Sequence, residues 1–170
     1  MLTVSWQNRL KQTLRSLSPP DRAVRCVVLG IGNEFNGDDA AGIAVARGLE
    51  ARVDSDDRLL IVDAGIAPEN HTGVLRAFAP DVVLLVDAAQ MNAEPGTVRL
   101  LDWQDTTGLS ATTHTLPPYM LAKFLTMDLG CTVALLGMQP FGNLPDTPLS
   151  DPMQAVVEEV VAGLVDALTG

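Results

Sequence analysis

Basic side chains are in short supply in this chain: eleven Lys plus Arg stand against 21 Asp plus Glu, a net charge of −10 over 170 residues. Such a surface repels phosphate backbones and anionic headgroups, so neither a nucleic-acid nor a membrane partner is expected. Aromatics make up only 4% of residues, leaving few platforms on which single-stranded bases could stack. The two cysteines, Cys26 and Cys131, are far apart, form no CxxC pair or dense secreted framework, and read as reduced core residues. No apolar run reaches bilayer length, since Met153 to Leu168 is interrupted by Glu158, Glu159 and Asp166. The opening residues set Trp6, Leu10, Leu14 and Leu17 among Arg9, Lys11 and Arg15 at helical spacing, unlike a signal peptide. A cytoplasmic, monomeric protein is the expectation.

What the chain does contain is an alternation of strand-like and helix-like segments. Cys26 to Gly30, Leu59 to Asp63, Val82 to Asp87 and Thr132 to Gly137 are continuous Val/Leu runs without polar alternation, the pattern of parallel strands covered on both faces. Another strand is expected over Thr97 to Leu101 after the Pro95-Gly96 turn. Helices are expected from about Asp38 to Val53, around Gly73 to Phe78, over Leu116 to Met127, and after a Ser150 or Asp151 cap. The predicted fold class is α/β: a three-layer α/β/α sandwich with a mostly parallel central sheet, in a single domain over residues 23–170. Residues 1–22, closed by Pro19-Pro20, read as an N-terminal helical extension.

Three side chains stand at the ends of these segments. Asp39 precedes a helix, Asp87 closes the VVLLV run, and His114 precedes a proline-started helix. If the strands are parallel neighbours, all three meet at the sheet edge where open α/β folds bind ligands. A carboxylate at the tip of a buried strand is costly unless it is hydrogen-bonded, paired or bound to a cation. Two oxygen ligands and one nitrogen would form an incomplete shell for nickel, zinc or cadmium, able to polarise a carbonyl or activate water. Two aspartates sharing one water are an equally open reading. A dinucleotide loop at Gly30-Ile31-Gly32-Asn33 is disfavoured, because Phe35 falls where the third glycine should be and Asp38 and Asp39 occupy the anion seat. Acidic residues also favour a first helical turn without any function, and one of the two adjacent side chains can cap while the other enters the cleft. Gly30, Gly32 and Gly37 are expected to shape the backbone. No GxSxG elbow is present.

Taken together, Leu29-Gly30-Ile31-Gly32-Asn33 with Gly37-Asp38-Asp39, Val62-Asp63-Ala64-Gly65 with Ala67-Pro68-Glu69-Asn70, Leu85-Val86-Asp87-Ala88, Thr113-His114 and Gly137-Met138-Gln139-Pro140 resemble the hydrogenase maturation endopeptidases, in particular the hydrogenase 3 type branch. The resemblance covers residues 25 to about 168. It implies an endopeptidase that trims the C-terminal extension from the large-subunit precursor of a nickel-iron hydrogenase. It also implies that nickel already in the substrate is recognised by Asp39, Asp87 and His114, a site that zinc or cadmium could also enter. Asp63 corresponds to an acid of a loop near the substrate cleft, where Gly65 and Gln139 are also expected. Two features depart from the family pattern: residues 1–22, and Ala64 where many relatives carry glycine. A noncatalytic nickel-binding maturation chaperone is the alternative that uses the same pocket.

Overall fold

Each apolar run rich in Val, Leu and Ile is bounded by Gly, Pro or Asp, and each becomes a strand. The computed structural model of the chain describes residues 4–107 and 116–170. The strands are β1 (Cys26–Ile31), β2 (Leu59–Gly65), β3 (Val82–Ala88), β4 (Val98–Asp102) and β5 (Thr132–Met138). They form one sheet in the order β2-β1-β3-β5-β4, parallel throughout except where β4 pairs antiparallel with β5. β1 and β3 are buried along their whole length, as central strands lacking polar alternation must be.

The helices are α1 (Trp6–Leu17), α2 (Ala41–Glu50), α3 (Thr72–Phe78), α4 (Pro118–Leu129) and α5 (Asp151–Thr169). Alternate strand residues divide the core. Val28, Leu84, Val86 and Leu136 pack with α1, α2 and α5, while Val27, Leu29, Val83, Leu85 and Leu135 pack with α3 and α4. The expected single-domain α/β/α arrangement is therefore the one that forms. Ser150 caps α5, its hydroxyl accepting from the Met153 N–H at 3.3 Å. α4 begins at Pro118, within the helix expected over Leu116 to Met127.

The N-terminal extension is docked onto the sandwich. Leu10 and Leu14 join the core beside α5. Gly163 makes room for Trp6, because a Cβ there would lie 2.7 Å from the indole. The Arg9 guanidinium donates to the Leu100 carbonyl at 2.9 Å and pairs with Asp102 at 3.0 Å, so α1 covers part of the open edge of β4.

Two close backbone approaches bring the start of α2 onto the sheet. A Cβ on Gly42 would lie 2.2 Å from both the Ile31 and the Val86 carbonyl oxygens, and one on Gly30 would lie 2.5 Å from the Gly42 carbonyl. Glycine alone permits this contact. The turn before α2, Gly37–Ala40, thereby sits over the junction of β1 and β3.

Candidate active site

The chain leaves β1 toward β2 on one side and reaches β3 on the other, so the β1/β3 junction is the topological switch point at which ligands bind in open α/β sheets. Asp39 follows β1 and Asp87 is the penultimate residue of β3, which brings these two predicted residues to that junction. Both are buried, at 1% and 6% exposure. Asp39 Oδ2 accepts from the Asn33 N–H at 3.1 Å. Asp87 lies in the β3 alternation shared by Val83 and Leu85, and among the described residues its buried Oδ1 has no hydrogen-bond partner. Burial pushes the Asp87 carboxyl well above the ordinary carboxylate range. The nearby Asp39 charge pushes it further, against a smaller lowering by the Ala88 N–H. An acid in this setting holds a proton or meets a cation.

His114 lies outside the described residues, as does Thr113. Among the described residues no group of three or more His, Cys, Asp or Glu is placed to hold a metal ion. Asp39 and Asp87 are thus the part of the expected ligand set that the described structure brings together.

The adjacent acid, Asp38, serves a different purpose. It is fully buried, and its carboxylate accepts from the Phe141 N–H at 2.8 Å, the Gly142 N–H at 3.2 Å and the Ser150 N–H at 2.9 Å. It anchors the loop between β5 and α5 to the turn that carries Asp39. Backbone bonds reinforce this anchor: Gly37 N–H to Thr147 O at 2.9 Å and Asp38 N–H to Gly142 O at 3.1 Å. Gly37, at φ +55°, and Gly32, where a Cβ would lie 1.9 Å from the Asp39 carbonyl, are the glycines this turn requires.

The other expected cleft residues have defined places. Asp63 accepts from Arg47 Nε at 2.9 Å, and the same guanidinium pairs with Glu34 at 3.0 Å. Asp63 is thereby tied to the loop after β1. Gly65, at φ +59°, closes β2 with its carbonyl accepting from the Gly32 N–H at 3.0 Å, and a side chain there would meet open space. Gln139 is 5% exposed and turned inward: its Oε1 accepts from the Met91 N–H at 2.7 Å and its amide donates to Gln90 Oε1 at 2.8 Å. It supports the 90–93 segment instead of lining open space. His71, on a short turn before α3, remains part of the loop structure.

Arg47 and Gly42 are not signalled by the sequence. A lone helical arginine and a helical glycine carry no local signal, whereas Asn33, in the GIGN segment, bonds the Phe35 N–H through its side chain at 2.9 Å and so announces a tight turn. Cys26 and Cys131 are free and buried, and burial pushes their thiols up to about 12 and about 11. Neither is suited to nucleophilic attack. No helix among the described residues is long and apolar enough to cross a membrane.

Known proteins share this fold. The family model for hydrogenase maturation protease (HycI) matches residues 43–167. The hydrogenase 3 maturation protease of Escherichia coli K12 is 35% identical over 135 residues, covering 79% of this chain and 85% of that one. A [NiFe] hydrogenase maturation protease, HycI, from Thermococcus kodakarensis superposes with a TM-score of 0.79 at 32% identity, covering 86% of this chain and 94% of that one. The hydrogenase maturating endopeptidase HybD from E. coli gives a TM-score of 0.71 at 25% identity, covering 86% and 93%.

Proposed function

Because this chain belongs to the hydrogenase maturation protease family, we propose that it is the endopeptidase that removes the C-terminal extension from the large-subunit precursor of a nickel-iron hydrogenase. It is a peptidase. Nickel already inserted in the precursor is its recognition element, held by Asp39, Asp87 and His114, and the metal belongs to the substrate.

One observation supports the reading of the site: the buried Asp87 Oδ1 that has no donor among the described residues, at the β1/β3 junction beside Asp39. An acceptor left without a donor in a dry position costs free energy that a cation would recover. Two carboxylate oxygens plus an imidazole leave positions open on a borderline divalent ion, which is how an ion seated in another protein can be gripped without being extracted. Zinc or cadmium supplied alone would enter the same site. The ion would polarise the scissile carbonyl and present water to it, and the acids would hold it in register.

The test uses purified precursor with and without nickel, followed by mass spectrometry. Shortening of the nickel-loaded form alone is the expected result. Equal shortening of both would favour water shared between the two aspartates and would overturn nickel recognition. A precursor bound but unchanged in length would make the protein a chaperone.

A further inference from the structure

The two loops that frame Asp39 are stitched together and yet expose large apolar side chains. Phe35 is 66% exposed and Leu144 68% exposed, on either side of the seam formed by the Asn36–Thr147 bridge and the Gly37 N–H to Thr147 O bond. Leu144 comes close to the turn, since a Cβ on Gly37 would lie 3.4 Å from its backbone nitrogen. The Thr147 hydroxyl closes the 144–147 turn on the Leu144 carbonyl at 2.6 Å. Phe141, next to the Asp38 anchor, rests on Gly96 and is 42% exposed. Asn33 links this rim to the acid pair, bonding Asp39 Oδ2 through its N–H and the Phe35 N–H through its side chain.

Apolar groups concentrated on an exposed edge mark a contact surface. Here their backbones are already ordered, so a partner that buries them does not bear the cost of ordering the loops. The rim is continuous with the turn that carries Asp39, which puts it next to any peptide bound at that site. Glu34 and Asp146 are the charged residues beside Phe35 and Leu144. Glu34 is already paired with Arg47 at 3.0 Å, so burial of apolar surface is the main contact this rim offers.

We propose that Phe35 and Leu144, on loops tied beside Asp39, form an apolar subsite that grips an aliphatic or aromatic side chain of the precursor tail next to the scissile bond. This rests on the precursor-processing reading above. Asp38 is the positioning residue of the subsite, holding the 141–150 loop against the turn.

The experiment compares wild type, Phe35→Ser, Leu144→Ser and the double variant on nickel-loaded precursor, measuring KM, kcat and precursor affinity. The second substrate is precursor in which apolar residues flanking the cleavage point are changed singly to serine. Because both side chains are already in water, thermal unfolding should match wild type. The double variant should raise KM at least tenfold with kcat within about twofold, in line with withdrawing one buried apolar side chain from its pocket. One serine substitution in the tail should weaken wild type by a similar factor and the double variant hardly at all. Unchanged KM and affinity, or a fall in kcat alone, would overturn the subsite. Wild-type protein that binds precursor without shortening it would overturn the peptidase function instead, and the subsite would then be judged by affinity: a tenfold loss in the double variant upholds it and none refutes it.

Discussion

Asp38→Asn tests how the rim of the candidate site is held. The native carboxylate accepts three backbone N–H groups, from Phe141, Gly142 and Ser150, and none of its surface reaches solvent. Asparagine of the same shape can keep one oxygen toward Phe141 and Gly142 but must turn an NH2 toward the Ser150 N–H. Leaving that donor without an acceptor costs about 1–3 kcal/mol, and the two remaining bonds weaken by about 1 kcal/mol each once the acceptor is uncharged. The expected loss is therefore about 3–5 kcal/mol, a large share of the roughly 5–15 kcal/mol that stabilises a domain. Urea unfolding at neutral pH should show a lower midpoint with an unchanged slope. Limited proteolysis should find the 141–150 loop cut sooner than in wild type. A change under about 1 kcal/mol, with the loop equally protected, would show that Asp38 does not anchor it.

The remaining variants probe separate parts of the account. Asp87 holds its proton more tightly in the folded than in the unfolded protein, so stability falls as pH rises above the ordinary carboxylate value. Asp87→Asn should therefore melt higher than wild type at neutral pH, with the gap closing as pH falls toward 3.8, and should lose processing; a gap that does not vary with pH would contradict the burial argument. Gly42→Ala forces a methyl to 2.2 Å from two strand carbonyls and should cost more than the usual 1–3 kcal/mol of overpacking, read as a lowered Tm; a Tm equal to wild type would disprove the close contact. Arg47→Met breaks ion pairs that are half exposed and should change stability by under about 1 kcal/mol. Cys26 and Cys131 should resist iodoacetamide in the native protein at pH 8, and rapid alkylation with loss of activity would show a working thiol.

The strands were readable because each is an uninterrupted Val/Leu run with clear punctuation, and two-sided burial leaves little choice but a central parallel strand. The direction of β4 was less readable, since a short edge strand takes its sense from the connection that delivers it. Asp39 and Asp87 could be named because carboxylates at strand and helix ends in an apolar context are conspicuous. Their meeting depends on strand order, which brings β3 beside β1. The work of Asp38 was hidden: its three partners lie more than one hundred residues downstream, and a GDD sequence does not say which acid faces the cleft. Gln139 was placed in the cleft by resemblance, yet its amide is turned onto the backbone of 90–93, a choice made by unsatisfied N–H groups far away in sequence. Arg47 gave no sign because an arginine on a helix is ordinarily a solvated charge.

The central claim is that Asp39, Asp87 and His114 close on one ion. A crystal structure of the protein soaked with cadmium or nickel tests it directly: the account predicts a single ion bound by carboxylate oxygens of Asp39 and Asp87 and by an imidazole nitrogen of His114, with further positions open. An ion seated elsewhere, or His114 directed away from the two aspartates while they bind it, would contradict the account.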